Sequence, residues 1–75
     1  MNLKNKLLEI KLKNAQKEMI ELHHLIETTL DRQEVQLLQL ELKGVSIEET
    51  ALRFRLFNKG IYITPSEEFV KLFVK

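Results

Sequence analysis

Apolar residues recur every three or four positions through the first thirty residues of the chain. Residues 3–30 contain no Gly and no Pro, and most of their residue types lose little rotamer freedom in a helix. The spacing has a mean period of about 3.5, which keeps one helix face turned toward a second helix. We predict one long helix over residues 3–30. Its apolar seam consists of Leu8, Leu12, Ala15, Met19, Leu22 and Ile26.

A second helix is predicted to follow after a tight turn at residues 29–31. Asp31 is followed three positions later by Glu34, which is the capping-box pattern of a helix start. Gly44 fits the left-handed position just beyond a helix end. The second helix is therefore expected over about residues 32–43, forming a hairpin with the first.

The stretch "KGVSIEETALRFRLFNKG" lies between the two glycines of the chain. Ser46 and Glu49 form another capping box, and acidic residues precede basic ones, as the helix dipole favours. These signals predict a third helix over residues 47–57 that stops before Gly60. The alternation in "LRFRLFNKGIYIT" leaves an α+β alternative, with a small β-hairpin at 52–64.

A fourth, short helix is predicted near the end of the chain. Thr64 is expected to cap it, with Pro65 at the first helical position. The predicted fold class is thus mainly α, with a helical hairpin followed by two shorter helices in a single domain. Residues 1–43 would form the hairpin and dimerisation region, and residues 44–75 a C-terminal helical region.

The predicted lengths favour a homodimer. A helix over residues 3–30 is about 42 Å long, whereas a compact globule of this size is about 30 Å across. A second helix over residues 32–43 would be about 18 Å long and would cover less than half of the first. We therefore predict that two copies pair along the apolar seam of the first helix.

The segment "GVSIEETA" resembles the Gly-x-Ser-x-x-Glu-x-Ala opening of helix-turn-helix domains in bacterial regulators and recombinases. "ITPS" looks like the start of a recognition helix in such domains. The resemblance implies a DNA-binding regulator with an irregular helix-turn-helix at 46–75. The nucleic-acid contacts that it implies are Arg53, Arg55, Lys59 and Lys71.

Charge is nearly balanced overall, with 12 basic against 11 acidic residues and a net charge of +1. A dedicated nucleic-acid binder usually has a larger basic excess. The first seventeen residues are nevertheless basic, with five lysines against the single acid Glu9. Such a segment suits an acidic partner, nucleic-acid phosphates or an anionic membrane surface, or is simply a solvated helix face.

Little in the sequence suggests catalysis or a cofactor. The absence of cysteine excludes disulfides, thiolate zinc sites and cysteine nucleophiles. His23 and His24 point about 100° apart on a helix, so they do not share a metal site, and no metal or cofactor is expected. Ser46 and Ser66 are explained as residues at helix starts. We expect a non-enzymatic chain.

The expected location is the cytoplasm, because the sequence shows neither a secretory signal pattern nor a run long enough for a membrane span. The expected function is that of a small regulatory or adaptor protein that dimerises and binds a protein partner. The alternative is the DNA-binding regulator described above.

Overall fold

The computed structural model describes residues 2–74 and contains three helices. They are α1 (Leu3–Thr28), α2 (Arg32–Asn58) and α3 (Glu67–Phe73). No strand occurs among the described residues, which confirms the mainly α fold class. The alternative β-hairpin at 52–64 is not formed, because residues 52–58 belong to α2.

Side-chain caps set the start of both long helices. The Asn2 carboxamide oxygen accepts from the Lys4 backbone N–H at 2.9 Å. The Asp31 carboxylate accepts from the Gln33 backbone N–H, also at 2.9 Å, so α2 begins where the sequence predicted. The connection between the helices is only three residues long, and α1 and α2 therefore pack as an antiparallel hairpin.

The predicted helix end at Gly44 and the new start at Ser46 are both wrong. Helix α2 runs through this region without a break, and the Ser46 carbonyl accepts from the Thr50 hydroxyl at 3.0 Å, as an interior helical residue can. The cause is the packing face of α2. Leu42 and Val45 are three positions apart, and Val45 and Leu52 are seven positions apart. These separations are close to one and two helical turns, so an unbroken helix keeps all three residues on the side that faces α1.

Gly60 is the glycine that ends a helix. Its φ of 77° lies in the left-handed region that favours glycine. The N–H of Gly60 donates to Phe57 O and the N–H of Ile61 donates to Leu56 O, both at 2.9 Å, which is the Schellman arrangement. Ile61 also packs against the core cluster that contains Leu56. The expected stop before Gly60 is therefore present, with α2 as the helix that it closes.

The start of α3 differs from the prediction by two residues. Ser66 is the cap, since its hydroxyl oxygen accepts from the Phe69 N–H at 3.2 Å, and Thr64 and Pro65 lie before the helix. Between α2 and α3 the chain alternates: Ile61 and Ile63 pack on the core while Tyr62 is exposed. This connecting segment closes one side of the hairpin.

The molecule is a rod. Its Cα extents are 46 × 21 × 17 Å, and its radius of gyration of 13.8 Å exceeds the roughly 11 Å typical of a compact chain of this length. The central core cluster lies where α1 and α2 meet, and Phe69 of α3 is also buried. The cluster consists of Leu12, Ala15, Leu52 and Leu56.

The two glycines provide a matched test of the continuous α2. No atom lies within 4 Å of the place that a Cβ would take at Gly44, so Gly44→Ala should raise the free energy of unfolding by about 1 kcal/mol through helix propensity. Gly60→Ala should lower it by about 1 kcal/mol or more, since alanine is strained at positive φ. Denaturant titration at low protein concentration measures both. Destabilisation by Gly44→Ala would mean that α2 ends at that residue.

Candidate interaction surface

The seam that the sequence predicted as a dimer or partner interface lies inside this chain. Leu12, Ala15, Met19 and Leu22 are buried, and Leu8 and Ile26 are half-buried. Helix α2 has 27 residues and is about 40 Å long, so it runs beside nearly all of α1. The length argument for a solvent-exposed seam therefore does not apply.

A second apolar row is exposed along α2. We call it the outer stripe, and it consists of Leu37, Leu40, Gly44, Ile47, Ala51 and Phe54. Its four large side chains are between 63% and 67% exposed. The members are separated by alternating steps of three and four residues, which is the spacing of a helix that packs lengthwise against another helix. No other element covers the outer stripe in the part of the chain that the structure describes.

The outer stripe faces away from α1. We call the side of α2 that packs on α1 its inner face, and it includes Val45, Leu52 and Leu56. Each member of the outer stripe follows a residue of the inner face by two positions. Two residues turn a helix by about 200°, so the two rows occupy opposite sides of α2. A helix of a soluble protein normally has one apolar side. Helix α2 has two.

Charged residues border the outer stripe on one edge. Glu34, Glu41 and Glu48 recur every seven residues there and are exposed, and Arg55 continues the same row. The other edge carries Lys43 among uncharged residues. This arrangement, an apolar row with acidic residues along its edge, is typical of a helix that pairs with another helix in water.

A buried polar group interrupts the inner face of α2. Glu49 is only 2% exposed, and it accepts a hydrogen bond from the Gln16 amide of α1 at 3.2 Å. The Arg53 guanidinium binds the same carboxylate through two N–H groups, at 3.0 and 3.2 Å. The carboxylate is thus both paired and hydrogen-bonded, which a buried charge requires. The contact to Gln16 holds α1 and α2 in one register.

Three of the residues implied as nucleic-acid contacts lie near the end of α2, and the fourth lies on α3. Arg53 is engaged with Glu49, Arg55 is exposed on α2, Lys59 caps α2, and Lys71 is exposed on α3. The irregular helix-turn-helix at 46–75 is not formed, because no helix starts at Ser46 and α3 packs on α1. Nucleic-acid contact by these side chains stays a prediction.

The two histidines make contacts with neighbouring residues. His23 Nε2 lies 2.8 Å from the Glu27 carboxylate, and its ring meets Phe73 edge-on. His24 Nε2 lies 3.0 Å from the Glu68 carboxylate and so links α1 to α3. Across residues 2–74, no three His, Cys, Asp or Glu side chains are grouped so that they could hold a metal ion. Both histidines therefore help to seat α3 on α1.

Comparison of the chain with known protein families, with curated proteins and with solved structures found no match. None of the helices formed by residues 2–74 combines the length and the hydropathy needed to cross a membrane. A proposal about the function of this chain therefore rests on the surface geometry described above.

The outer stripe was not predicted, although its spacing is visible in the sequence. The small members, Gly44 and Ala51, have little apolar character of their own, and a glycine at position 44 is typical of a helix end. Extending the three-and-four spacing from Leu37 through Gly44 to Phe54 would have found the stripe. This spacing indicates a single helix face only if the helix continues past Gly44.

The buried polar contact leads to a stability prediction. Glu49→Leu should lower the free energy of unfolding by about 1–3 kcal/mol, because it leaves the buried Gln16 amide without its partner. The double change Gln16→Leu with Glu49→Leu should recover most of that loss, since an apolar pair of similar volume replaces the polar one. Denaturant titration of both variants measures the difference. A double variant as unstable as the single one would contradict this role of Gln16.

Proposed function

We propose that this chain is a small non-enzymatic adaptor or regulatory protein that binds a helix of another protein chain along the outer stripe of α2. The observation that carries the proposal is the second apolar face of α2, whose spacing matches that of the inner face and which none of the described residues covers. Helix-in-groove and helix-on-helix recognition use such rows of apolar side chains.

The total exposed surface supports the proposal. The chain exposes 6049 Å², whereas a compact monomer of 8.9 kDa exposes about 4,800 Å². The excess of about 1,200 Å² is larger than the roughly 800 Å² that one partner contributes to a standard protein interface. Within this surface, the outer stripe is a row of exposed apolar side chains, and such rows mark interaction sites in soluble proteins.

The proposal is tested by comparing two lysine substitutions in an affinity capture from the native host. Ile47→Lys places a charge at the centre of the outer stripe, and it should reduce the captured partner at least about tenfold, because the contact would have to bury that charge. Leu7→Lys is the matched control, since Leu7 is an exposed apolar residue on α1, away from the stripe.

Both positions are exposed, so both variants should fold, and far-ultraviolet circular dichroism should confirm unchanged helix content. Equal capture by the parent chain and by Ile47→Lys would contradict the proposal. So would a loss of capture with Leu7→Lys but not with Ile47→Lys, because the binding surface would then lie on α1.

A further inference from the structure

We infer that the helix bound by the outer stripe is the α2 helix of a second copy of this chain, arranged antiparallel about the midpoint of α2. This inference rests on the proposed function and names its partner. A homodimer with twofold symmetry needs a surface that is complementary to itself, so that a residue i contacts j while j contacts i. The order of large and small residues in the outer stripe meets that requirement.

The pairing follows from the positions of the stripe members. If two α2 helices lie antiparallel about a point between Val45 and Ser46, Gly44 of each copy faces Ile47 of the other. Ala51 then faces Leu40 at the next layer outward. Each small residue opposes a large one, which lets facing layers interdigitate at close approach.

The outermost layer pairs Leu37 with Phe54, so both ends of the stripe close with large apolar groups. Residues 32–58 have their midpoint at residue 45. The symmetry point of the stripe therefore lies within one residue of the centre of the helix, and two copies of α2 overlap over nearly their full length. A shifted register would leave part of one stripe uncovered.

A parallel arrangement pairs identical residues. Gly44 would then face Gly44 and leave a gap, while Phe54 would face Phe54. Edge charges favour this parallel form, because Lys43 would meet Glu48 of the second copy, whereas the antiparallel form brings Glu41 near Glu48.

Packing outweighs these charges. Exposed ion pairs change an association constant by only about two- to five-fold. Burial of a large apolar side chain changes it by about ten- to a hundred-fold. The antiparallel arrangement buries four large side chains from each copy without the central gap, and it is therefore the favoured one.

Light scattering across a dilution series tests self-association. At about 50 µM the parent chain should show twice its 8.9 kDa mass. Ile47→Lys should raise the dissociation constant about a hundred-fold or more, since it loses an apolar contact and adds a buried charge in each copy. Leu7→Lys should leave it within two-fold. A mass of 8.9 kDa for the parent chain, or equal dimerisation by Ile47→Lys, overturns the inference.

Single-cysteine variants test the orientation, because the natural chain has no cysteine. In the antiparallel arrangement Leu40→Cys faces Ala51→Cys of the second copy, so a disulfide should form on oxidation only when the two variants are mixed. Leu40 and Ala51 are eleven positions apart, about 16 Å along the helix, which is too far for either variant to bridge to itself. Disulfide-linked Leu40→Cys alone, or no disulfide in the mixture, overturns the antiparallel arrangement.

These results separate the two proposals. A monomeric parent chain whose partner capture is still lost with Ile47→Lys overturns the homodimer and leaves helix binding by the outer stripe in place. A dimer that is insensitive to Ile47→Lys, together with partner capture that is also insensitive, overturns both.

Discussion

The packing of α1 against the inner face of α2 is the constraint on which the rest of the structure depends. Gly44 within a helix costs about 1 kcal/mol relative to alanine. A helix that ended there would not hold Leu52 and Leu56 in phase against α1, and each of these buried side chains contributes about 1.5–3 kcal/mol. The contacts of the second half of α2 therefore outweigh the local preference of one glycine, and the helix continues to Asn58.

The uninterrupted helix also creates the surface that we assign to binding. Because α2 stays in phase, residues on its far side line up as one row from Leu37 to Phe54. Had the helix broken at Gly44, Leu40 and Ile47 would lie on separate elements with no common face. The rod shape and the excess of exposed surface follow from the same cause, since two helices of nearly equal length pack side by side with only a short third helix over them.

Local signals in the sequence were sufficient to predict a helix boundary where a single residue sets that boundary. Asp31 caps α2 through its own carboxylate, and Gly60 closes α2 because its φ is positive. The pattern of Ser46 and Glu49 was misleading, because Glu49 uses its carboxylate on Gln16 of α1, a residue 33 positions away. Such a distant contact has no local signature. The apolar seam of α1 is visible in the sequence, but it was predicted as a dimer or partner interface. In the structure α2 packs on this seam, because α2 is longer than the sequence predicted.

The distance between the two ends of α2 is the most direct measure of this account. Arg32→Cys and Lys59→Cys place spin labels at exposed positions 27 residues apart, in a chain with no other cysteine. Pulsed electron spin resonance, with labelled protein diluted in unlabelled protein so that only distances within one chain contribute, should give about 40 Å for an unbroken helix. A main distance below about 30 Å would mean that α2 is broken near Gly44, and would contradict both the fold and the outer stripe.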